Sequence, residues 1–188
     1  MSEIDGIEYG PLARLVGSWE GDKGLDVAPE PDGREESPYF ESLVFEAAGD
    51  VENAEKQRLA IVRYHQVVSR KSNGEVFHDE IGYWTWDSAT GVIAHSLTIP
   101  RAVCVLAGGS YSGSGDEPEV VLEVAAKLGD PDWGIIQSPF MRDNARTLSF
   151  RHRIAVSGNV MNYSETTVLD IYGGSFDHTD ENRLSRKA

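Results

Sequence analysis

Apolar and polar residues alternate along most of this chain, in short runs bounded by glycine, asparagine, aspartate and serine. Tyr39-Phe40-Glu41-Ser42-Leu43-Val44-Phe45 and Phe77-His78-Asp79-Glu80-Ile81-Gly82-Tyr83 are two such runs, and Glu119 to Lys127, Thr147 to Val156 and Val160 to Leu169 are others. A period of two belongs to strands with one buried face, and no stretch carries the 3.6-residue period of a long helix. Many strands at short intervals with turn residues between them predict an all-β fold: a closed antiparallel up-and-down β-barrel of about ten strands. Leu12-Ala13-Arg14-Leu15-Val16 departs from the pattern and predicts a short N-terminal helical turn capping one end.

The connections follow from turn chemistry. Ser72-Asn73-Gly74 predicts a type I′ hairpin, in which both central residues need positive φ. Asp87-Ser88-Ala89-Thr90-Gly91 and Ser157-Gly158-Asn159 join further strand pairs. Residues 25–38 carry Pro29, Pro31 and Pro38 and are expected to form a long loop. Residues 128–144 are expected to form a second long loop holding a short strand around Ile135-Ile136. The chain thus reads as one barrel domain over residues 1–188, with residues 1–11 as an N-terminal arm.

At 188 residues, such a domain closes a core without disulfide or metal staples. Its 31 acids against 17 bases leave a net charge of −14, which repels nucleic acid and anionic lipid. No apolar run approaches the roughly 20 residues that span a bilayer, and the N-terminus lacks the pattern of a secretory signal. Cys104, the one cysteine, lies in the alternating run Ala102 to Ala107 and is expected to be a small buried hydrophobe. Without a disulfide framework a reducing, cytoplasmic setting is expected. Asn162-Tyr163-Ser164 matches a glycosylation sequon by chance, inside a predicted strand.

Enzyme signatures are absent: there is no G-x-S-x-G elbow, no phosphate-binding Walker loop, and Gly108 to Gly113 reads as a turn. His65, His78, His95, His152 and His178 are too far apart for the i, i+4 pairs of helical zinc sites, so a directly bound metal ion requires coincidence in three dimensions. Leu148, Phe150, His152, Ile154 and Val156 share one face of their strand, which places His152 on the apolar side. There it reads as a buried histidine bonded to a backbone carbonyl. His78, Glu80, Gly82, Trp84 and Trp86 share a face that the pattern leaves free to point in or out. In Gly17-Ser18-Trp19-Glu20-Gly21 the tryptophan plugs a barrel end, or the glycines let a ligand approach closely. His178 lies in a polar stretch, where it reads as an exposed histidine on an edge strand held by neighbouring acids, or as an imidazole that Asp177 or Asp180 orients.

Taken in order, these pieces resemble one family, the nitrobindins. Gly17, Trp19 and Gly21 match G-x-W-x-G; Tyr39, Glu41 and Phe45 match the second strand; Tyr64 and Gln66 match Y-x-Q; His78, Glu80, Gly82 and Tyr83 match H-x-E-x-G-Y/F; and His178 matches a histidine on the last strand. The resemblance implies a ten-stranded barrel holding haem b near its mouth, with His178 as the proximal iron ligand and His78 on the distal side. It also implies binding of nitric oxide, or isomerisation of peroxynitrite to nitrate at ferric haem.

Two other functions fit the residues. One is a carrier of a fatty acid or other lipophilic molecule, with Trp19, Phe150, Ile154 and Val156 along the cavity and His152 or Arg63 fixing the head group. The other is a cofactor-free barrel serving as an interaction module. A small-molecule ligand is the expected partner, and monomer and homodimer both remain open.

Overall fold

The computed structural model describes residues 2–187. Strands β1 (Glu3–Ile4) and β2 (Ile7–Glu8) make a small hairpin, and a 3-10 turn over Gly10–Arg14 follows. Then come β3 (Gly17–Glu30), β4 (Gly33–Asn53), β5 (Gln57–Arg70), β6 (Val76–Asp87), β7 (Val92–Ile99), β8 (Val103–Ser110) and β9 (Val120–Lys127). The chain ends with β10 (Ile135–Gln137), helix α1 (Pro139–Asn144), β11 (Ala145–Ser157), β12 (Val160–Ile171) and β13 (Gly174–Arg186). Ten strands, β3–β9 and β11–β13, form a closed antiparallel barrel, as the alternation predicts.

Closure is unequal around the barrel. Most adjacent strands share long ladders, but β13 and β3 pair in two short stretches with a break between Glu181 and Ser185, and β8 and β9 pair only at Gly108 and Ala125. The segment expected as a long loop fills the seam. Its strand β10 pairs with β8 from Ile135↔Val105 to Gln137↔Val103. The Gln137 amide bonds both the carbonyl and the N–H of Thr147 at the start of β11, at 3.0 and 2.9 Å. Unpaired backbone groups on those edges would otherwise be left without partners, which barrels avoid.

The expected loop over 25–38 is instead a hairpin: β3 and β4 pair from Leu25↔Pro38 to Glu30↔Gly33, with Pro31 and Asp32 in the turn. Two of the prolines sit at ladder margins, Pro29 beyond the last β13 pair at Val27 and Pro38 before the first β5 pair at Tyr39. There a missing N–H is tolerated, so proline content did not imply a loop. The Ser72-Asn73-Gly74 connection also differs from expectation. Only Gly74 takes positive φ, at 73°, and its N–H reaches back to the Arg70 carbonyl at 2.8 Å, giving a wider loop than a type I′ turn.

One end of the barrel is sealed with apolar residues. Tyr9, Leu12 and Leu15 from the N-terminal turn join Trp19, Leu43, Phe45, Met161 and Leu184 in the core, each such side chain contributing about 1.5–3 kcal/mol on burial. Trp19 is 0% exposed; its indole N–H donates to the Leu15 carbonyl at 2.7 Å and Arg186 stacks on its ring at 4.1 Å. Cys104, expected inside, is exposed. Val103, Val105 and Ala107 take the inward positions of β8, so the alternation places Cys104 and Leu106 outside. No helix among the described residues is long and apolar enough to cross a membrane.

Candidate functional site at the polar end of the barrel

The interior becomes polar away from the sealed end. On β13 the half-buried or buried positions Phe176, His178, Asp180, Asn182 and Leu184 alternate with exposed Asp177, Glu181 and Arg183, while Thr179 is itself half-buried. On β3 strict alternation from Trp19 would send Asp26 outward. A bulge at Asp22-Lys23 inserts one residue between the pairs Gly21↔Glu41 and Gly24↔Tyr39, reverses the parity and turns Asp26 inward. Asp26 is only 3% exposed and stands opposite Asp180 in register.

His178 Nε2 lies 2.6 Å from Asp26 Oδ1 and 3.5 Å from Asp180 Oδ2. Burial alone would lower the His178 pKa; the hydrogen bond to Asp26 and the charges of Asp180 and Asp26 outweigh it, and the pKa rises. The Asp180 carboxyl is pushed up to about 7, first by burial and then, against the opposing imidazole charges of His178 and His78, by the Asp26 charge. Asp177, the other acid expected beside His178, faces outward.

His78 points inward on β6, with Glu80, Trp84 and Trp86, which decides the face left open by the sequence. Its Nε2 is 3.6 Å from Glu80 Oε2. His78 and His178 are near enough for the charge of one to act on the other. Arg70 is a cation at this end. It stacks on Phe77 at 4.5 Å, donates to Ser37 Oγ at 2.6 Å and lies 3.6 Å from Glu35.

Deeper in, buried polar groups form two networks. Glu41 accepts hydrogen bonds from Gln66 at 2.8 Å, Tyr163 at 2.9 Å and Asn182 at 2.7 Å, while burial raises its pKa. Tyr39 and Tyr163 share a hydroxyl–hydroxyl bond of 2.7 Å. In the second network Tyr64 donates to Glu80 at 2.5 Å, so its oxygen accepts from His95 Nε2 at 2.7 Å, and the His95 ring stacks on Trp84 at 4.2 Å.

His152 is on the apolar face as expected, 7% exposed, with Phe150, Trp84, His95 and Tyr163 around it. The expected bond to a backbone carbonyl is absent: neither ring nitrogen has a hydrogen-bond partner, and Glu165 Oε2 approaches Nδ1 only to 3.4 Å. Burial holds the His152 pKa down at about 4 and that of His95 lower than usual, so both rings are neutral at pH 7. Trp19 sits at the opposite, sealed end from His178. Arg63, offered as a head-group partner, is exposed and paired with Glu46 at 2.8 Å.

The family model described as THAP4-like, heme-binding beta-barrel domain matches residues 8–186. The chain belongs to this family. The resemblance to nitrobindins is thereby borne out, and haem is the family's cofactor. Among solved structures, Rv2717c from M. tuberculosis is similar at a TM-score of 0.68 and 21% identity, over 94% of this chain and 95% of that one, which speaks for the shared barrel. Among curated proteins none matches.

The donor chemistry at the barrel's polar end fits a haem. A carboxylate only accepts, so Asp26 holds the proton on His178 Nε2, and in the neutral ring Nδ1 then carries the lone pair a metal needs. The glycines of β3 do not form an open cradle, because the Tyr39 ring lies over Gly24 and the Asn182 amide, 2.6 Å from where a Cβ would stand, lies over Gly21. They serve the packing of the chain's own side chains.

Proposed function

We propose that this barrel holds haem b at its polar end, with His178 as the axial ligand and His78 on the opposite side, and that it binds nitric oxide or isomerises peroxynitrite to nitrate. The reading rests on His178, an inward imidazole on the last strand whose far nitrogen is anchored by a buried carboxylate. Ligating histidines are oriented in this way. Arg70 offers its guanidinium to a propionate, leaving Asp26 and Asp180 to His178.

Haem, when bound, supplies an iron centre for small nitrogen oxides. The chain's part is to hold and orient. Asp26 fixes the His178 ring and keeps the Nε2 proton. His78, half-buried and backed by Glu80, presents an imidazole that can donate a hydrogen bond on the distal side. Peroxynitrite and nitrate have the same atoms and charge, so the isomerisation needs no external electron or net proton.

The fatty-acid reading is weaker on physical grounds. A carboxylate head would meet Glu41, Glu80 and Glu165 inside, while Arg63 is outside. Hemin titration followed by absorbance, with circular dichroism as the control for folding, tests the haem reading. His178→Ala should lose hemin and remain folded, and His78→Ala should keep hemin with an altered spectrum. Folded His178→Ala that binds hemin as tightly as wild type removes His178 as the ligand.

A further inference from the structure

We propose that in the haem-free barrel Asp26, His178 and Asp180 form a binding site for a single first-row divalent metal ion, taken directly by the protein through His178 Nε2. One donor atom from each of the three lies within 4.8 Å of the others. The His178 to Asp180 distance is 3.5 Å. Nitrogen and oxygen ligands about 2.1 Å from a tetrahedral ion stand roughly 3.4 Å apart. Asp180 is therefore already at a coordinating span. Asp26, at 2.6 Å from His178 Nε2, needs to move back by about 0.8 Å to reach the same separation.

Strand pairing brings the three side chains together. Asp26 and Asp180 are opposite residues of the paired strands β3 and β13, and His178 is on the same face of β13, two residues from Asp180. This is more than a group of surface acids, because Asp26 is buried and an imidazole completes the set. Two carboxylates facing each other across a ladder, one of them out of water, need a cation or a proton between them. A metal ion displaces the Nε2 proton and neutralises both acids at once. The three donors come from the chain's own paired strands, and the remaining coordination positions are left to water.

Two carboxylate oxygens with one imidazole suit Zn²⁺, Fe²⁺ or Mn²⁺. Mg²⁺ and Ca²⁺ favour all-oxygen sets and Cu⁺ favours sulfur. The net charge of −14 further raises the local concentration of cations.

Haem-free protein titrated with Co²⁺ by absorbance and with Zn²⁺ by calorimetry tests the site. Wild type should take up one ion per chain, and Asp26→Asn and Asp180→Asn should each bind at least about 10-fold more weakly. Arg70→Ala should weaken hemin uptake and leave the metal affinity unchanged, whereas His178→Ala should lose both ligands, so the metal site and the haem reading can fail separately. In wild type at one equivalent of Zn²⁺, the His178 ring resonances should shift while those of His65, on the outer surface, stay in place. Absence of saturable uptake, unchanged affinity in folded Asp180→Asn, or an unmoved His178 signal would each overturn the proposal.

Discussion

His178 and Asp26 are joined by a 2.6 Å hydrogen bond between the last strand of the barrel and the first, across 152 positions of sequence. That bond does two things. It fixes which imidazole nitrogen carries a proton, and it ties together the strands whose pairing completes this side of the barrel. Burial alone would lower the His178 pKa, and Asp26 with Asp180 raises it instead. In Asp26→Asn the raising hydrogen bond to a charged acceptor is gone, so the His178 pKa should fall below its wild-type value. An NMR pH titration of the histidine ring protons reads this directly; an unchanged pKa would show that Asp26 does not control the imidazole.

His152 should make the protein acid-sensitive. Its folded pKa is about 4 against an ordinary 6.5, so the unfolded chain binds the proton first as pH falls. The stability it permits is present above pH 6.5 and lost as pH drops through about 4, by about 3 kcal/mol in all. His152→Leu should remove this part of the acid loss. Urea midpoints at pH 7.5 and pH 4.5 for the two proteins check it, and parallel curves would count against a buried neutral ring.

Gly24 is expected to tolerate no side chain. A Cβ there would run into the Tyr39 ring, which is held by its bond to Tyr163. Gly24→Ala should therefore cost about 1–3 kcal/mol through overpacking. Equilibrium denaturation gives the number, and loss of near-ultraviolet dichroism would report the displaced tyrosine.

Arg63→Ala should change neither the denaturation midpoint nor any ligand affinity. The guanidinium pairs with exposed Glu46 on the outer wall, and such pairs are weak in water. A measurable drop in uptake of hemin or a fatty acid would contradict the outward placement.

The period of two settled the architecture before any contact was known, because a half-buried strand repeats every two residues whatever it pairs with. The same parity put His152 with Phe150 on the apolar face, and the ordered motifs led to a family that the match over residues 8–186 bears out. Other features lay beyond a local reading. The Asp22-Lys23 bulge reverses parity within one strand, so Asp26, in the stretch expected as a loop, is buried in the barrel. Prolines that punctuate a loop in a local window are tolerated in a hairpin once the neighbouring strands end short of them. Residues 128–144 gain their purpose only from the gap between β8 and β9 that they fill. Alternation is a property of a few consecutive residues, and sequence alone determined what depended on it. Closure, bulges and the meeting of Asp26 with His178 depend on strands far apart in the chain, and only the tertiary structure decided those.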